Sequence, residues 1–123
     1  MTDTVLCEVE NAVARVILNR PDKLNALNAD MWRAVGEIFG DLSGDASLRC
    51  VVLTGQGERA FSPGADIKEF ETARADIEKA RAYGELMHGA MGEIGACPHP
   101  TLAAIRGLCV GGGLELAAMC DLR

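Results

Sequence analysis

Aromatic side chains are scarce in this 123-residue chain: one Trp, one Tyr and three Phe. A core must therefore be filled by aliphatic side chains and alanine. Positive charge is short as well, with 12 Lys and Arg against 18 Asp and Glu and a net charge of −6. That balance argues against a nucleic-acid surface, which needs a basic stripe. It leaves room for a phosphate-bearing small ligand, because helix N-termini and local lysines bind phosphate on acidic proteins too. No apolar run approaches the ~20 residues of a membrane span. The opening MTDTVLCEVEN has neither a basic nor an apolar signal region. These absences predict a cytoplasmic protein with no membrane partner. The five cysteines (Cys7, Cys50, Cys97, Cys109 and Cys120) are odd in number, and no pair has CxxC spacing. With only His88 and His99 beside them, no metal site is expected, and buried free thiols in a reducing compartment are.

What is present suits one domain over residues 1–123. Hydrophobic residues make up 49% and charged residues 24%, the balance of a globular protein. Thr4–Val9 and Ala12–Leu18 read as two strands of a hairpin turning at Glu10-Asn11. Pro21 bars the second strand from continuing. Asn28 is placed to cap a helix with apolar positions at Met31, Trp32, Val35, Ile38, Phe39 and Leu42, stopped by Gly44. Cys50–Thr54 is a short apolar strand. The stretch GQGERAFSPGADIKEF reads as a loop, with Asp66 and Glu69 spaced as a capping box. A long helix follows from about Thr72 to Ile94, with Ala73, Ile77, Ala80, Tyr83, Met87, Met91 and Ile94 inward, and CPHP ends it. Thr101–Ile105 is another strand, an apolar helix runs from Gly113 to Cys120, and Asp121 opens a further strand. Strands alternating with helices predict an α/β layered fold.

Several motifs carry a functional reading beside a plainer one. Gly55-Gln-Gly57-Glu-Arg-Ala60 fits GxGxxA, but Pro63 and Gly64 spoil the helix a dinucleotide site requires, so a turn is expected. Gly107–Gly113 lacks the Lys and Ser/Thr of a P-loop. Ser62 lacks the flanking glycines of a nucleophile elbow, and His99 between two prolines reads as part of a rigid turn. The run Gly111-Gly112-Gly113 at a helix start either packs closely on a sheet or offers N–H groups to an anion or a developing oxyanion. Glu115 is the one charge in that helix. It is either favoured by the helix dipole or a buried carboxylate fit for acid–base chemistry. The N–H of Ala65, just before Asp66, is either part of an ordinary capped loop or a second such donor.

Together the stretches ARVILNRPDKLNALNADM, VVLTGQGERAFSPGADIKEF and TLAAIRGLCVGGGLELAAMCD resemble the enoyl-CoA hydratase/isomerase (crotonase) superfamily, in its order and over nearly the whole chain. The resemblance implies a spiral of repeated ββα units, usually assembled as trimers or dimers of trimers. It implies an acyl-CoA thioester substrate whose oxygen binds the amides matching Ala65 and Gly112. The CoA portion would run past Lys23, Leu24 and Ala26 and past Ala65, Asp66, Ile67 and Lys68. Coenzyme A is then part of the substrate, and no separate cofactor is implied. Glu115 matches one of two glutamates that hold and activate water in hydratases, a lyase chemistry of fatty-acid metabolism that adds water syn across a 2-enoyl double bond. The family is about twice as long, so the resemblance also implies a chain truncated before the C-terminal helices and the second glutamate. A small departure is Ser62-Pro63, where Cys-Ala or Ala-Ala is common, which stiffens the loop. The alternatives are a non-catalytic remnant that binds CoA thioesters or a partner, and another superfamily reaction such as double-bond isomerisation.

Overall fold

The computed structural model describes residues 3–73 and 76–123, the side chains of Phe70 and Ala73 excepted. Its elements fall into three ββα turns. The first is β1 (Val5–Glu10), β2 (Val13–Leu18) and α1 (Ala29–Ser43). The second is β3 (Cys50–Gly55), β4 (Ala60–Ser62), α2 (Ile67–Ala73) and α3 (Ile77–Ala96). The third is β5 (Thr101–Ala104), β6 (Leu108–Cys109) and α4 (Gly111–Met119). One sheet has the order β1-β2-β3-β5, antiparallel at the hairpin and parallel beyond it. The second sheet pairs β4 with β6 in parallel. The second and third turns thus give one strand to each sheet, which is how a repeated unit winds into a spiral.

Local chemistry explains the elements. The hairpin turns at Asn11 and Ala12, both at positive φ (52° and 65°), as a two-residue turn between twisted strands requires. Ala12 is therefore a turn residue, and β2 begins at Val13. Asn28 caps α1 by accepting from Met31 N–H at 2.9 Å, and Gly44 ends it. Met31, Trp32, Val35, Phe39 and Leu42 form its buried face, with Ile38 packed partly against it. That face joins Val16, Leu18, Val51, Leu53, Phe61, Ile94 and Leu116 in one core.

Several expectations are corrected. The stretch read as a loop contains β4, because Ala60–Ser62 finds a partner in β6, almost fifty residues later. The long helix is α2 and α3, the second capped by Asp76, whose carboxylate accepts from Lys79 N–H at 2.7 Å. Tyr83, Met91 and Ile94 face inward as expected, joined by Ala90, but Ile77 in the first turn of α3 is 79% exposed. The side chain of Ala73 lies outside the described residues. Asp66 and Glu69 make only half of a capping box: the Asp66 carboxylate accepts from Lys68 N–H at 3.0 Å at the start of α2, but Asp66 N–H donates to Leu27 C=O, and Glu69 reaches instead to α1 and accepts from Ala29 N–H at 2.5 Å. The last helix begins at Gly111 and buries only Gly113, Leu116 and Ala117. Its uniform apolarity does not bury it all round, and Glu115 is exposed with Leu114 and Met119. Beyond it, Leu122 bridges to β5 through Leu122 N–H to Thr101 C=O (3.0 Å) and Ala103 N–H to Leu122 C=O (2.9 Å).

Candidate active site at the start of the last helix

Three segments converge where the chain turns from β4 toward α2. The first is residues 20–28. Pro21 opens a single 3-10 turn, Pro21–Lys23, and Leu24 and Asn25 then sit at positive φ (56° and 63°). Asn25 holds that shape from within. It is 1% exposed, its Oδ1 accepts from Arg20 N–H at 2.9 Å, and its Nδ2 donates to Ala60 C=O (2.9 Å) and Gln56 C=O (3.1 Å).

The second segment is Ser62–Asp66. Gly64 lies at φ +98°, and a Cβ there would stand 2.5 Å from Gly112 N, so only glycine lets the two backbones approach. Leu27 clamps this turn from the other side: its N–H donates to Gly64 C=O at 2.7 Å, and its C=O accepts from Asp66 N–H at 2.8 Å. That pairing skips the N–H of Ala65.

The third segment is the first turn of α4. A Cβ on Gly113 would collide with Ser62 C=O, and one on Gly112 would press on Gly64 Cα at 3.2 Å and the Trp32 ring at 3.4 Å. The glycine run therefore serves close packing. It also leaves Gly112 N–H in the first helical turn, where backbone donors have no intrahelical acceptor. Among the described residues neither Ala65 N–H nor Gly112 N–H has a hydrogen-bond acceptor. Close packing and free donors are thus two consequences of one arrangement. Glu115 follows Gly112 by three residues, a spacing that puts both on one helix face. That face is open, with Glu115 exposed while Leu116, Ala117 and Cys120 turn into the core.

Beside the Ala65 turn lies a cleft of about 470 Å³. Of the residues expected to bind a CoA portion, Lys23, Ala26, Ala65, Asp66, Ile67 and Lys68 line it together. Leu24 does not; it faces a smaller hollow of about 110 Å³ with Asn25 and Gln56. Arg20 and Pro63 complete the cleft wall, and neither was expected there from the sequence. Arg20 Nη1 donates to Asp66 Oδ2 at 2.8 Å and to Ala26 C=O at 3.2 Å. This guanidinium, with help from the Lys68 and Glu69 amides, holds the Asp66 carboxyl below the usual carboxylate range. Three cations, Arg20, Lys23 and Lys68, thus stand around one concave surface on an acidic protein.

The thiols stand apart from this chemistry. All five are free, but only Cys120 is buried and Cys7 is exposed, against the expectation of buried thiols; burial pushes Cys120 up to about 11 and Cys109 upward. A thiol so raised is protonated and inert near neutrality. His99, read as a turn residue, has Nε2 3.0 Å from Leu42 C=O and ties the CPHP turn to the end of α1. No helix starts at Gly57, which lies in a turn before β4, so the dinucleotide-site reading has no structural support. No described helix is long and apolar enough to cross a membrane.

An α/β spiral of ββα turns, with a cationic cleft and two free amides, one in the turn before α2 and one in the first turn of α4, is the class of protein these features define. The chain belongs to the enoyl-CoA hydratase/isomerase family, whose sequence model matches residues 8–123. It is 36% identical to the short-chain-enoyl-CoA hydratase of Clostridium acetobutylicum over 98% of this chain and 46% of that one. It is 36% identical to the mitochondrial Delta(3,5)-Delta(2,4)-dienoyl-CoA isomerase of Pongo abelii over 90% of this chain and 36% of that one. Among solved structures, an enoyl-CoA hydratase/carnithine racemase from Magnetospirillum magneticum superposes with a TM-score of 0.95 at 52% identity, covering 100% of this chain and 46% of that one. The fold is thus the crotonase fold, and the chain spans about half the length of the relatives it matches.

Proposed function

We propose that this chain carries the thioester-activating half-site of an enoyl-CoA hydratase. One observation supports this most: the turn bearing Ala65 and the first turn of α4 meet, each with an uncommitted N–H. A thioester oxygen set between them would accept two hydrogen bonds, and both strengthen as negative charge grows on it. In a 2-enoyl thioester that withdrawal reaches C3 through the conjugated double bond. Glu115, on the same helix face as Gly112, holds a water and takes its proton as the oxygen bonds to C3. The proton taken from water then passes from Glu115 to C2 as the enolate-like state collapses, so OH and H both come from one water and Glu115 ends ionised as it began, with a second carboxylate sharing the handling of water. Water is added, nothing is oxidised or reduced, and no metal or separate cofactor enters. The CoA portion lies along the cleft of Lys23, Ala26, Ile67 and Lys68, with phosphate groups near the cations. The working form is a homo-oligomer, trimer or hexamer.

The test is crotonyl-CoA hydration by the purified chain and its Glu115→Gln variant, with molar mass measured on the same material. A general acid–base group contributes about 10²–10⁴ in turnover. Glu115→Gln is therefore expected to lower kcat by that order while KM changes far less. Near-wild-type turnover in the variant removes Glu115 from the mechanism. A second reading is favoured by the exposure of Glu115: the chain binds acyl-CoA thioesters without turning them over. Acetyl-CoA binding with no hydration in any oligomeric state would select it. Migration of the double bond in place of hydration would select an isomerase.

A further inference from the structure

The turn that carries Ala65 is tied at its polar points on both sides of the free amide. Gly64 N–H donates to Ser62 Oγ at 2.9 Å, and Gly64 C=O accepts from Leu27 N–H at 2.7 Å. Asp66 N–H donates to Leu27 C=O at 2.8 Å, and its carboxylate takes Arg20 at 2.8 Å and Lys68 N–H at 3.0 Å. Ser62 is the pivot of this arrangement. Its side chain is fully buried, and its hydroxyl gives its one proton to Asn25 C=O at 2.8 Å while accepting from Gly64. Its carbonyl accepts from Val110 N–H at 3.3 Å, one residue before α4, at the place where Gly113 has no Cβ. One residue thus touches the 20–28 segment, the Ala65 turn and the approach to Gly112.

We infer that Ser62 is a positioning residue for the Ala65 amide, its hydroxyl fixing the direction of that N–H relative to the N–H of Gly112. The inference rests on the reading of the two amides as the thioester-oxygen site. An oxyanion donor must lie about 2.7–3.1 Å from the oxygen, and such sites tolerate misplacement of only about 0.5 Å and 10–20°. With an apolar side chain at 62, Gly64 N–H and Asn25 C=O are left buried and unpaired, which is unfavourable. The turn then shifts toward other partners, and the Ala65 N–H moves with it.

Calorimetric titration with acetyl-CoA and with coenzyme A separates the thioester carbonyl from the rest of the ligand. Wild type is expected to prefer acetyl-CoA. Ser62→Ala is expected to weaken acetyl-CoA binding about tenfold, short of the 10²–10³ in turnover that loss of a whole donor costs, and to leave coenzyme A binding unchanged. Ser62→Cys, near in size with a poorer donor, is expected between the two, and it carries the comparison if Ser62→Ala does not fold. Amide hydrogen exchange gives a ligand-free readout: Gly64 N–H is expected to exchange faster in Ser62→Ala while the amides of β3 do not. A Ser62 variant that keeps the wild-type preference, or that weakens both ligands alike, overturns the inference. A wild type that binds both ligands equally overturns the amide-pair reading itself, and this inference with it.

Discussion

Gly112 acts in this reading through a single N–H, and that makes it separable from its neighbours. Proline is tolerated in the first turn of a helix, so Gly112→Pro deletes the donor at a position compatible with α4. Losing one oxyanion donor costs about 2.7–4 kcal/mol in the transition state. Crowding must be subtracted, since a Cβ at 112 meets Gly64 Cα at 3.2 Å; Gly112→Ala supplies that control. Turnover of crotonyl-CoA by the proline variant is expected to fall well below the alanine variant, and equal rates would remove Gly112 N–H from the site. Asp66 gives a prediction of another kind. Hydrogen bonding to Arg20 holds its carboxyl low in the folded chain, whereas an unfolded Asp titrates near about 3.9. A depressed carboxylate stabilises the fold above that unfolded value and loses the contribution as pH falls through the folded one. The melting temperature should therefore drop on acidification below about pH 4. Asp45, held low first by the Ser47 hydroxyl, titrates in the same direction, so the Asp66 share is the difference from Asp66→Asn. That variant should melt lower than wild type at neutral pH and converge with it in acid. Parallel curves would show that Arg20 and Asp66 are not coupled to folding.

Elements differ in how far their own residues specify them. The hairpin, α1, β3 and β5 were legible because each signal is local: an apolar pattern, a cap at Asn28, a stop at Gly44. β4 and β6 were not, because three and two residues become strands only by pairing across the fold. Glu69 was misread for a related reason: its partner, Ala29 N–H, is forty residues away in sequence. Within the site, the glycines and Glu115 stood out by type, whereas Arg20, Asn25 and Ser62 work through partners that no spacing reveals. Ala12 carries the element-scale prediction. It holds φ +65° in the β1–β2 turn, where a left-handed conformation costs an L-residue about 1–2 kcal/mol. Glycine avoids that strain but loses about 0.5–1 kcal/mol of conformational freedom. Ala12→Gly is therefore expected to stabilise the chain, by up to about 1.5 kcal/mol. Urea unfolding with an unchanged m-value reads it directly, and a lower midpoint would mean that the turn is not strained.

On the scale of the whole molecule, exposed apolar side chains gather toward one end of the chain. Ile105, Leu108, Val110, Leu114, Met119 and Leu122 are 38–62% exposed, all within β5–α4 and its flanks. Val110 and Leu114 are four residues apart at the start of α4, a spacing that aligns them in one stripe. Neither packs into the core, so their apolar area is available to another surface, and contiguous apolar surface of this kind drives association. The same stripe adjoins Glu115, so whatever covers it also excludes water around the proposed reaction site, where electrostatic interactions gain strength. Association and activity are therefore expected together. Light scattering should give a mass above the 13.0 kDa of one chain, with crotonyl-CoA hydration confined to the associated fraction. The double variant Val110→Lys/Leu114→Glu puts charge on the stripe without touching the core. It is expected to shift the mass toward one chain and to abolish hydration while leaving the chain folded by circular dichroism. A wild-type chain that is monomeric, stable and fully active would show that this surface needs no cover and that the half-site suffices alone.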